Sequence, residues 1–127
     1  MRNEVLFSGF GGQGIILSAV ILGRAAAIYD NKFAVQTQVY GPEARGGASR
    51  TDVIISSKPI LFPNCRKLDI LLAMNQESSD KFSPKVKESG FCIVDSTFVD
   101  QLPEGKVYEF PFTARCLEAF GNKIAAN

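Results

Sequence analysis

The stretch FSGFGGQGI, residues 7–15, places a glycine-rich loop between two apolar runs. Gly9, Gly11 and Gly14 match the pattern G-x-G-x-x-G, which is typical of loops that hold a dinucleotide at the start of a helix. Residues 4–8 indicate a buried strand, and residues 12–29, whose only charge is Arg24, indicate a helix buried on nearly every side. With the alternating residues 33–39 as a second strand, the stretch predicts a βαβ unit.

The rest of the chain continues the alternation of strands and helices. Further strands are predicted at residues 51–56, 69–74, 91–95 and 106–111. Helical segments are predicted at residues 75–81, from Ser83-Pro84 to a stop at Gly90, and at 113–120 with Gly121 as the stop. The connection of residues 40–50 is too short for a crossover helix, so the second and third strands are expected to pair antiparallel.

This order predicts an α/β fold, with a doubly wound, Rossmann-like, mostly parallel sheet and an antiparallel addition in a single domain, residues 1–127. The final GNKIAAN reads as the first turns of another helix. Two explanations stay open: the sequence is C-terminally truncated, or the missing cover comes from elsewhere.

Composition excludes several classes of function. The chain has 127 residues, with 14 basic and 13 acidic side chains, so it lacks the basic excess of a nucleic-acid binder. It has no histidine, and its three cysteines are far apart, which argues against a disulfide framework, a metal site of its own and histidine-based catalysis. Arg24 interrupts the apolar run too early for a membrane span, so a cytoplasmic protein is expected.

The glycine loop lacks one element of a dinucleotide site. Such a site needs an acidic residue at the end of the second strand, where this chain has Gln36 and Gln38. The extra Gly12 also makes the loop tighter than dinucleotide binding requires. Three interpretations remain open: NAD or FAD binding, contact with an anion or partner to which Gln13 could donate, and packing of helix on strand.

A second glycine-rich loop lies in QTQVYGPEARGGASR, residues 36–50. Its arginines suit phosphate or carboxylate groups, and loops at the carboxyl ends of strands are where α/β folds bind ligands. The alternative is a solvated loop in which Glu43 pairs with Arg45 or Arg50, an interaction that contributes at most about 1 kcal/mol.

The two loops together, with DILLAMNQE at residues 69–77 and CIVDS at 92–96, resemble the gamma subunit or gamma domain of the 2-oxoacid:ferredoxin oxidoreductases. The form GPEARGGASR is more similar to the 2-oxoglutarate branch than to the pyruvate branch. Members of the family usually continue past the position of GNKIAAN.

The resemblance implies an enzyme that decarboxylates a 2-oxoacid on thiamine diphosphate, reduces ferredoxin through [4Fe–4S] clusters and transfers the acyl group to coenzyme A. It implies partner alpha and beta subunits and a ferredoxin-like delta subunit that carry the thiamine diphosphate and the clusters. This chain is expected to bind no cofactor alone, to carry no catalytic residue or metal, and to contact neither nucleic acid nor membrane.

The residues expected to contact coenzyme A or another subunit belong to the two loops. They are Gly9, Gly11, Gly12, Gln13, Gly14, Tyr40, Gly41, Pro42, Glu43, Arg45, Gly46 and Gly47. Two alternatives are kept beside this function: the nucleotide-binding domain of an NAD-dependent dehydrogenase, and a subunit that is purely a scaffold.

Overall fold

The computed structural model describes residues 1–39, 49–123 and 126. The elements follow one another as β1 (Arg2–Gly9), α1 (Ile15–Ile28), β2 (Phe33–Val39), β3 (Ser49–Ser56), β4 (Leu68–Ala73), α2 (Gln76–Phe82), a 3-10 turn (Ser83–Lys85), β5 (Val86–Asp95), β6 (Val107–Phe110) and α3 (Phe112–Phe120). The second strand has the predicted bounds, and Gly121 ends α3 in the left-handed conformation that favours glycine, with φ of 70°.

The strands form one six-stranded sheet in the order β2-β3-β1-β4-β5-β6. The pairs β1–β4, β4–β5 and β5–β6 are parallel, and β3 runs antiparallel to both β2 and β1. The predicted mostly parallel sheet with an antiparallel addition is therefore confirmed. The insertion of β3 between β1 and β2 distinguishes this sheet from the usual dinucleotide-binding order, in which the first two strands are neighbours.

Each face of the sheet has its own apolar core. On one face α1 and α3 cover Val5, Phe7 and Val53, with Ala19 and Cys116 of the two helices buried among them. On the opposite face Phe82 of α2 packs among a second cluster, which includes Leu6, Leu71 and Val94. Alternate residues of β1 thus enter different cores, as the period of two in a strand requires.

The expectation that α1 is buried on nearly every side is wrong. Only Ile15, Ala19 and Ala26 are buried, whereas Leu17 and Ile21 are each 59% exposed. The helix contacts β1, β2 and β3 along one side, and no described element covers the other side. The apolar composition of α1 therefore leaves an exposed apolar face.

The expected helical segment closed by Gly90 is also wrong beyond its first turn. The 3-10 turn ends at Lys85, and Gly90 lies inside β5, where the register with β4 shifts. A Cβ at position 90 would lie 2.7 Å from Asp69 O and 2.9 Å from Leu68 O. Gly90 therefore permits a close approach of two strand backbones, which is a recurring use of glycine in sheets.

Two further features bear on the class of protein. Cys65, Cys92 and Cys116 are present as free thiols. Among the helices of the described residues, none combines the length and the apolar character needed to cross a bilayer.

Candidate functional site

The glycine loop lies where β1 ends and α1 begins, at the carboxyl ends of the parallel strands. Gly12 and Gly14 have φ values of 85° and 75°, a conformation that other residues rarely adopt. Gly14 is the N-cap residue of α1 and provides no side chain to cap the helix. The loop therefore turns sharply and presents main chain at the start of a 14-residue helix.

Gly9 is required by packing inside the chain. A Cβ at this position would lie 2.3 Å from Gln13 Oε1 and 2.9 Å from the Cβ of Met74. Met74 is fully buried, so it has little room to move. This glycine thus allows the loop to lie against the end of β4.

The side chain of Gln13 fastens the loop. Its Oε1 accepts a hydrogen bond of 2.5 Å from Phe10 N, and its Nε2 donates one of 3.3 Å to Met74 O. The backbone of Gln13 also donates to Phe10 O, at 3.3 Å. The structure thus gives Gln13 a role within the chain, and its contact with an anion stays a prediction.

Gly11 differs from its neighbours because nothing among the described residues requires a glycine there. Its φ lies outside the positive region, and a Cβ added to it would meet no atom within 4 Å. A Cβ at Gly12 would also meet nothing. Both residues are exposed, so no described residue fills the space above the loop backbone.

Two clefts flank the loop. The smaller, of about 110 Å³, lies between Phe10 and Phe98, whose rings meet edge to face with centroids 6.4 Å apart, and Lys123 lines it as a basic group. The larger, of about 430 Å³, follows the start of α1 and is lined mainly by apolar groups, including Ile16, Leu17 and Val20. The volume of the larger cleft is in the range of small-molecule sites.

Sequence reasoning missed Phe10, Phe98 and Lys123 as residues of the site. Phe10 had a signal, since it is a large apolar side chain inside a glycine loop. Phe98 follows β5 and Lys123 follows α3, and they meet the loop only because the parallel strands bring these segments to one edge. No local pattern marks them.

The second predicted loop contributes seven expected contacts: Tyr40, Gly41, Pro42, Glu43, Arg45, Gly46 and Gly47. All of them lie outside the described residues. The two residues that flank the loop are described: Val39 pairs with Arg50, and Ser49 pairs with Gly9. Both ends of the second loop therefore lie at the sheet edge that carries the glycine loop.

The topology argues against a nicotinamide dinucleotide at this edge. In a Rossmann site the acidic residue that binds the ribose comes from the strand beside the first one. Here that neighbour is β3, which begins with Ser49 and Arg50 opposite Gly9 and Ser8. The position next to the glycine loop thus carries a cation and no acid.

The buried acids of the described chain serve structural hydrogen bonds. Asp95 accepts from Thr97 N at 3.0 Å and from the backbone and hydroxyl of Thr113, which anchors the start of α3. Glu4 accepts from the backbone amides of Arg66 and Lys67. Within the described residues, no group of three or more histidine, cysteine or acidic side chains is placed to hold a metal ion.

The thiols of Cys65 and Cys92 are poor nucleophiles. Burial, with the nearby carboxylates of Asp52 and Glu4, raises the pKa of Cys65 to about 12. Burial also raises the pKa of Cys92. Because the thiolate is the reactive form, both groups stay protonated and unreactive at neutral pH.

Comparison with known proteins identifies the class. Residues 4–127 match the family described as pyruvate ferredoxin/flavodoxin oxidoreductase. The crystal structure of the gamma subunit of a keto/oxoacid ferredoxin oxidoreductase from Geobacter sulfurreducens superimposes with a TM-score of 0.88 and 46% identity, over 99% of this chain and 70% of that one.

Two archaeal relatives refine the comparison. The 2-oxoglutarate synthase subunit KorC of Methanocaldococcus jannaschii is 55% identical over all of this chain and 70% of its own length. The pyruvate synthase subunit PorC of the same organism is 32% identical over 95% of this chain and 69% of its own length.

The chain therefore belongs to the pyruvate ferredoxin/flavodoxin oxidoreductase family. Within it, the chain is a gamma-type subunit of a 2-oxoacid:ferredoxin oxidoreductase. The resemblance drawn from the two glycine-rich loops is thereby confirmed.

Proposed function

We propose that this chain is the gamma subunit of an enzyme that oxidatively decarboxylates 2-oxoglutarate. The reaction releases CO2, passes two electrons to ferredoxin and transfers the acyl group to coenzyme A. The choice of substrate rests on two relatives from one organism. The chain is 55% identical to the 2-oxoglutarate synthase subunit and 32% identical to the pyruvate synthase subunit.

Other subunits supply the cofactors and the chemistry in this proposal. Thiamine diphosphate and the [4Fe–4S] clusters belong to alpha, beta and ferredoxin-like delta subunits, and ferredoxin is the electron acceptor. The absence of histidine from the sequence, the unreactive Cys65 and Cys92 thiols and the buried, hydrogen-bonded Asp95 support a chain without catalytic groups. In this proposal the protein acts in the cytoplasm, and residues 1–127 belong to its gamma-type domain.

The two loops form the contact site, for coenzyme A or for the subunit that binds it. Gly11 supports this role, since neither its backbone conformation nor the described residues around it require glycine. Gly12 and Gly14 provide the turn, and Gly9 and Gln13 hold it against β4. The second loop follows Val39, which pairs with Arg50 at the same edge of the sheet, and in this proposal Arg45 is the group that meets a phosphate or carboxylate.

Substrate choice is tested on the whole complex. We expect the purified enzyme to reduce ferredoxin with 2-oxoglutarate and coenzyme A at a kcat/KM at least 100-fold above that with pyruvate or a branched-chain 2-oxoacid. A preference for pyruvate or for a branched-chain acid would contradict the proposal for 2-oxoglutarate but leave the family assignment intact.

The scaffold alternative keeps specific support, because α1 exposes Leu17 and Ile21 as a neighbouring subunit would require. Gly11→Ala and Arg45→Ala in the whole complex separate the two roles. A raised KM for coenzyme A with an intact assembly supports ligand contact, and loss of assembly supports a scaffold. The dehydrogenase alternative requires the chain alone to bind NADH, which we expect not to occur.

A further inference from the structure

The connection between β3 and β4, residues 57–67, is held in place by side chains of the sheet. Arg2 donates to the carbonyls of Phe62 and Asn64, at 3.1 Å and 3.5 Å, and Thr37 Oγ1 donates to Pro63 O at 3.0 Å. These bonds fix three consecutive carbonyl groups on the near side of the loop.

The next three residues are held through their amide groups. Cys65 N donates to Asp52 at 3.4 Å, and the amides of Arg66 and Lys67 donate to Glu4 Oε2 at 2.6 Å and 3.1 Å. Residues 62–67 therefore each use a backbone group to bind a side chain of β1, β2 or β3. Such a loop has little freedom left to lose when it binds a partner.

The carboxylates that hold the loop are buried at a cost. Glu4 is 7% exposed and Asp52 1% exposed, and each is paired with one arginine, Arg2 or Arg50, at 3.0 Å. Burying charges is unfavourable unless hydrogen bonds replace the lost water. Two buried carboxylates therefore hold one surface loop in its conformation.

The loop presents two large apolar side chains to solvent. Leu61 is 82% exposed and Phe62 is 69% exposed, and they are neighbours between Pro59 and Pro63. Single exposed apolar residues are common, but an adjacent pair at the start of the hydrogen-bonded segment 62–67 is suited to anchor an interface. Proline on each side restricts the backbone further.

The charged residues of the connection itself have one sign. Lys58, Arg66 and Lys67 are exposed, and residues 57–67 include no acidic residue. The carboxylates of Glu4 and Asp52 lie beneath the loop, where they are buried and paired. The complementary surface is an apolar recess bordered by carboxylates.

We propose that residues 57–67 form a docking anchor for another protein subunit of the oxidoreductase complex, which receives Leu61 and Phe62 in an apolar recess with an acidic rim. The identity of the partner as a subunit of that complex rests on the proposed function. The anchor lies at the opposite end of the sheet from the glycine loop, since it joins the end of β3 to the start of β4. It is therefore a second contact site, separate from the sheet edge that carries the glycine loop.

The first test replaces the anchor in the co-expressed complex. We expect the double variant Leu61→Ser, Phe62→Ser to co-purify with the partner subunits at least about tenfold less than the wild-type chain. The matched control is Leu102→Ser, which removes a side chain that is 51% exposed in another loop. It should co-purify normally, and all three chains should unfold at the same denaturant concentration.

The second test concerns the rim. The variant Lys58→Glu, Arg66→Glu, Lys67→Glu reverses the charge of the rim. The backbone amides of residues 66 and 67 can still donate to Glu4, so the loop keeps its shape. We expect weaker co-purification at low salt, and a smaller effect of added salt than in the wild-type complex.

Three results would overturn the anchor: unchanged co-purification of the double variant, an effect equal to that of Leu102→Ser, or a change only in self-association of the isolated chain. Co-purification is read without an activity assay. A complex that assembles through the anchor but oxidises no 2-oxoacid would contradict the proposed function and leave the anchor standing.

Discussion

Gly9 and Gly11 are two positions apart in one loop, but the chain constrains them differently. A Cβ on Gly9 would overlap with Gln13 Oε1 and press on the Cβ of buried Met74, at 2.3 Å and 2.9 Å. A Cβ on Gly11 would lie in open space. The pair therefore separates a glycine kept for internal packing from a glycine that no described residue of the chain requires.

We expect Gly9→Ala to lower the free energy of unfolding by about 1–3 kcal/mol, because overpacking forces Gln13 and the loop away from β4. Gly11→Ala should leave it unchanged or raise it by up to about 1 kcal/mol, since alanine has less conformational freedom in the unfolded chain. Urea denaturation of both variants checks this. Equal effects of the two substitutions would contradict the distinction.

At the residue scale the sequence predicted the turn and its glycines, but it did not predict the bonds of Gln13. The pattern GFGGQG requires a tight loop through local conformation alone. The hydrogen bond from Gln13 to Met74 O joins residues far apart in sequence and depends on β1 lying beside β4. The seven expected contacts in residues 40–47 stay predictions.

Among the elements, α1 shows why apolar composition does not determine burial. Its residues are almost all apolar, and this indicated a helix covered on every side. A single sheet face covers one side of a helix, and Leu17 and Ile21 show that the remaining side is exposed in this chain. An apolar composition indicates that a surface is covered, but it does not show whether the same chain or another molecule covers it.

Strands were predicted correctly where a single hydrophobic pattern was present in the sequence. Residues 33–39 alternate without a competing signal, and β2 has the same bounds. At β5, Ser83-Pro84 and Gly90 together resemble the limits of a helix, although Gly90 is required by the close carbonyls of Leu68 and Asp69. Gly90 therefore serves a contact between β4 and β5, although local rules place such a glycine at the end of a helix.

The start of α2 provides a test at this scale. Asn75 is 1% exposed and caps the helix, since its Oδ1 accepts from Ser78 N at 2.8 Å, while its Nδ2 has no hydrogen-bond partner. We expect Asn75→Ala to lower the free energy of unfolding by about 1 kcal/mol or more. Asn75→Ser should lower the free energy of unfolding by less, because serine keeps a capping oxygen and removes the unpaired amide. Thermal or urea unfolding measures both, and a larger loss for serine would contradict this account.

For the whole molecule, the sequence predicted the class of sheet and left its order undetermined. The short connection between β2 and β3 indicated an antiparallel pair, which the structure has. That β3 also pairs along the full length of β1 could not be predicted, because any strand with one apolar face satisfies the same local pattern. This insertion places Ser49 and Arg50 of β3, and no acid, opposite the end of β1, which argues against a nicotinamide site at this edge.

The stability of the molecule should fall in alkaline solution because of Cys65. Its pKa is about 12 in the folded chain against an ordinary value of 9.0, so between these values the unfolded chain releases a proton that the folded chain keeps. The free energy of unfolding therefore decreases as pH rises from 9 towards 12. The difference in stability between wild type and Cys65→Ser, measured by urea denaturation at pH 8 and pH 10.5, should shift in favour of serine at the higher pH. A difference that is independent of pH would show that the thiol titrates normally.

The central position of β1 also has a consequence for synthesis on the ribosome. Val5 pairs with Val53 on one side and with Ile70 on the other, so β1 obtains its two neighbours only after about 50 and 65 further residues have been synthesised. The β2–β3 hairpin forms from contiguous chain and provides the edge to which β1 adds. Until β4 has left the exit tunnel, Val5, Leu6 and Phe7 of the nascent chain lack a complete sheet. Their apolar side chains stay available for non-native contacts until the strands around them are complete.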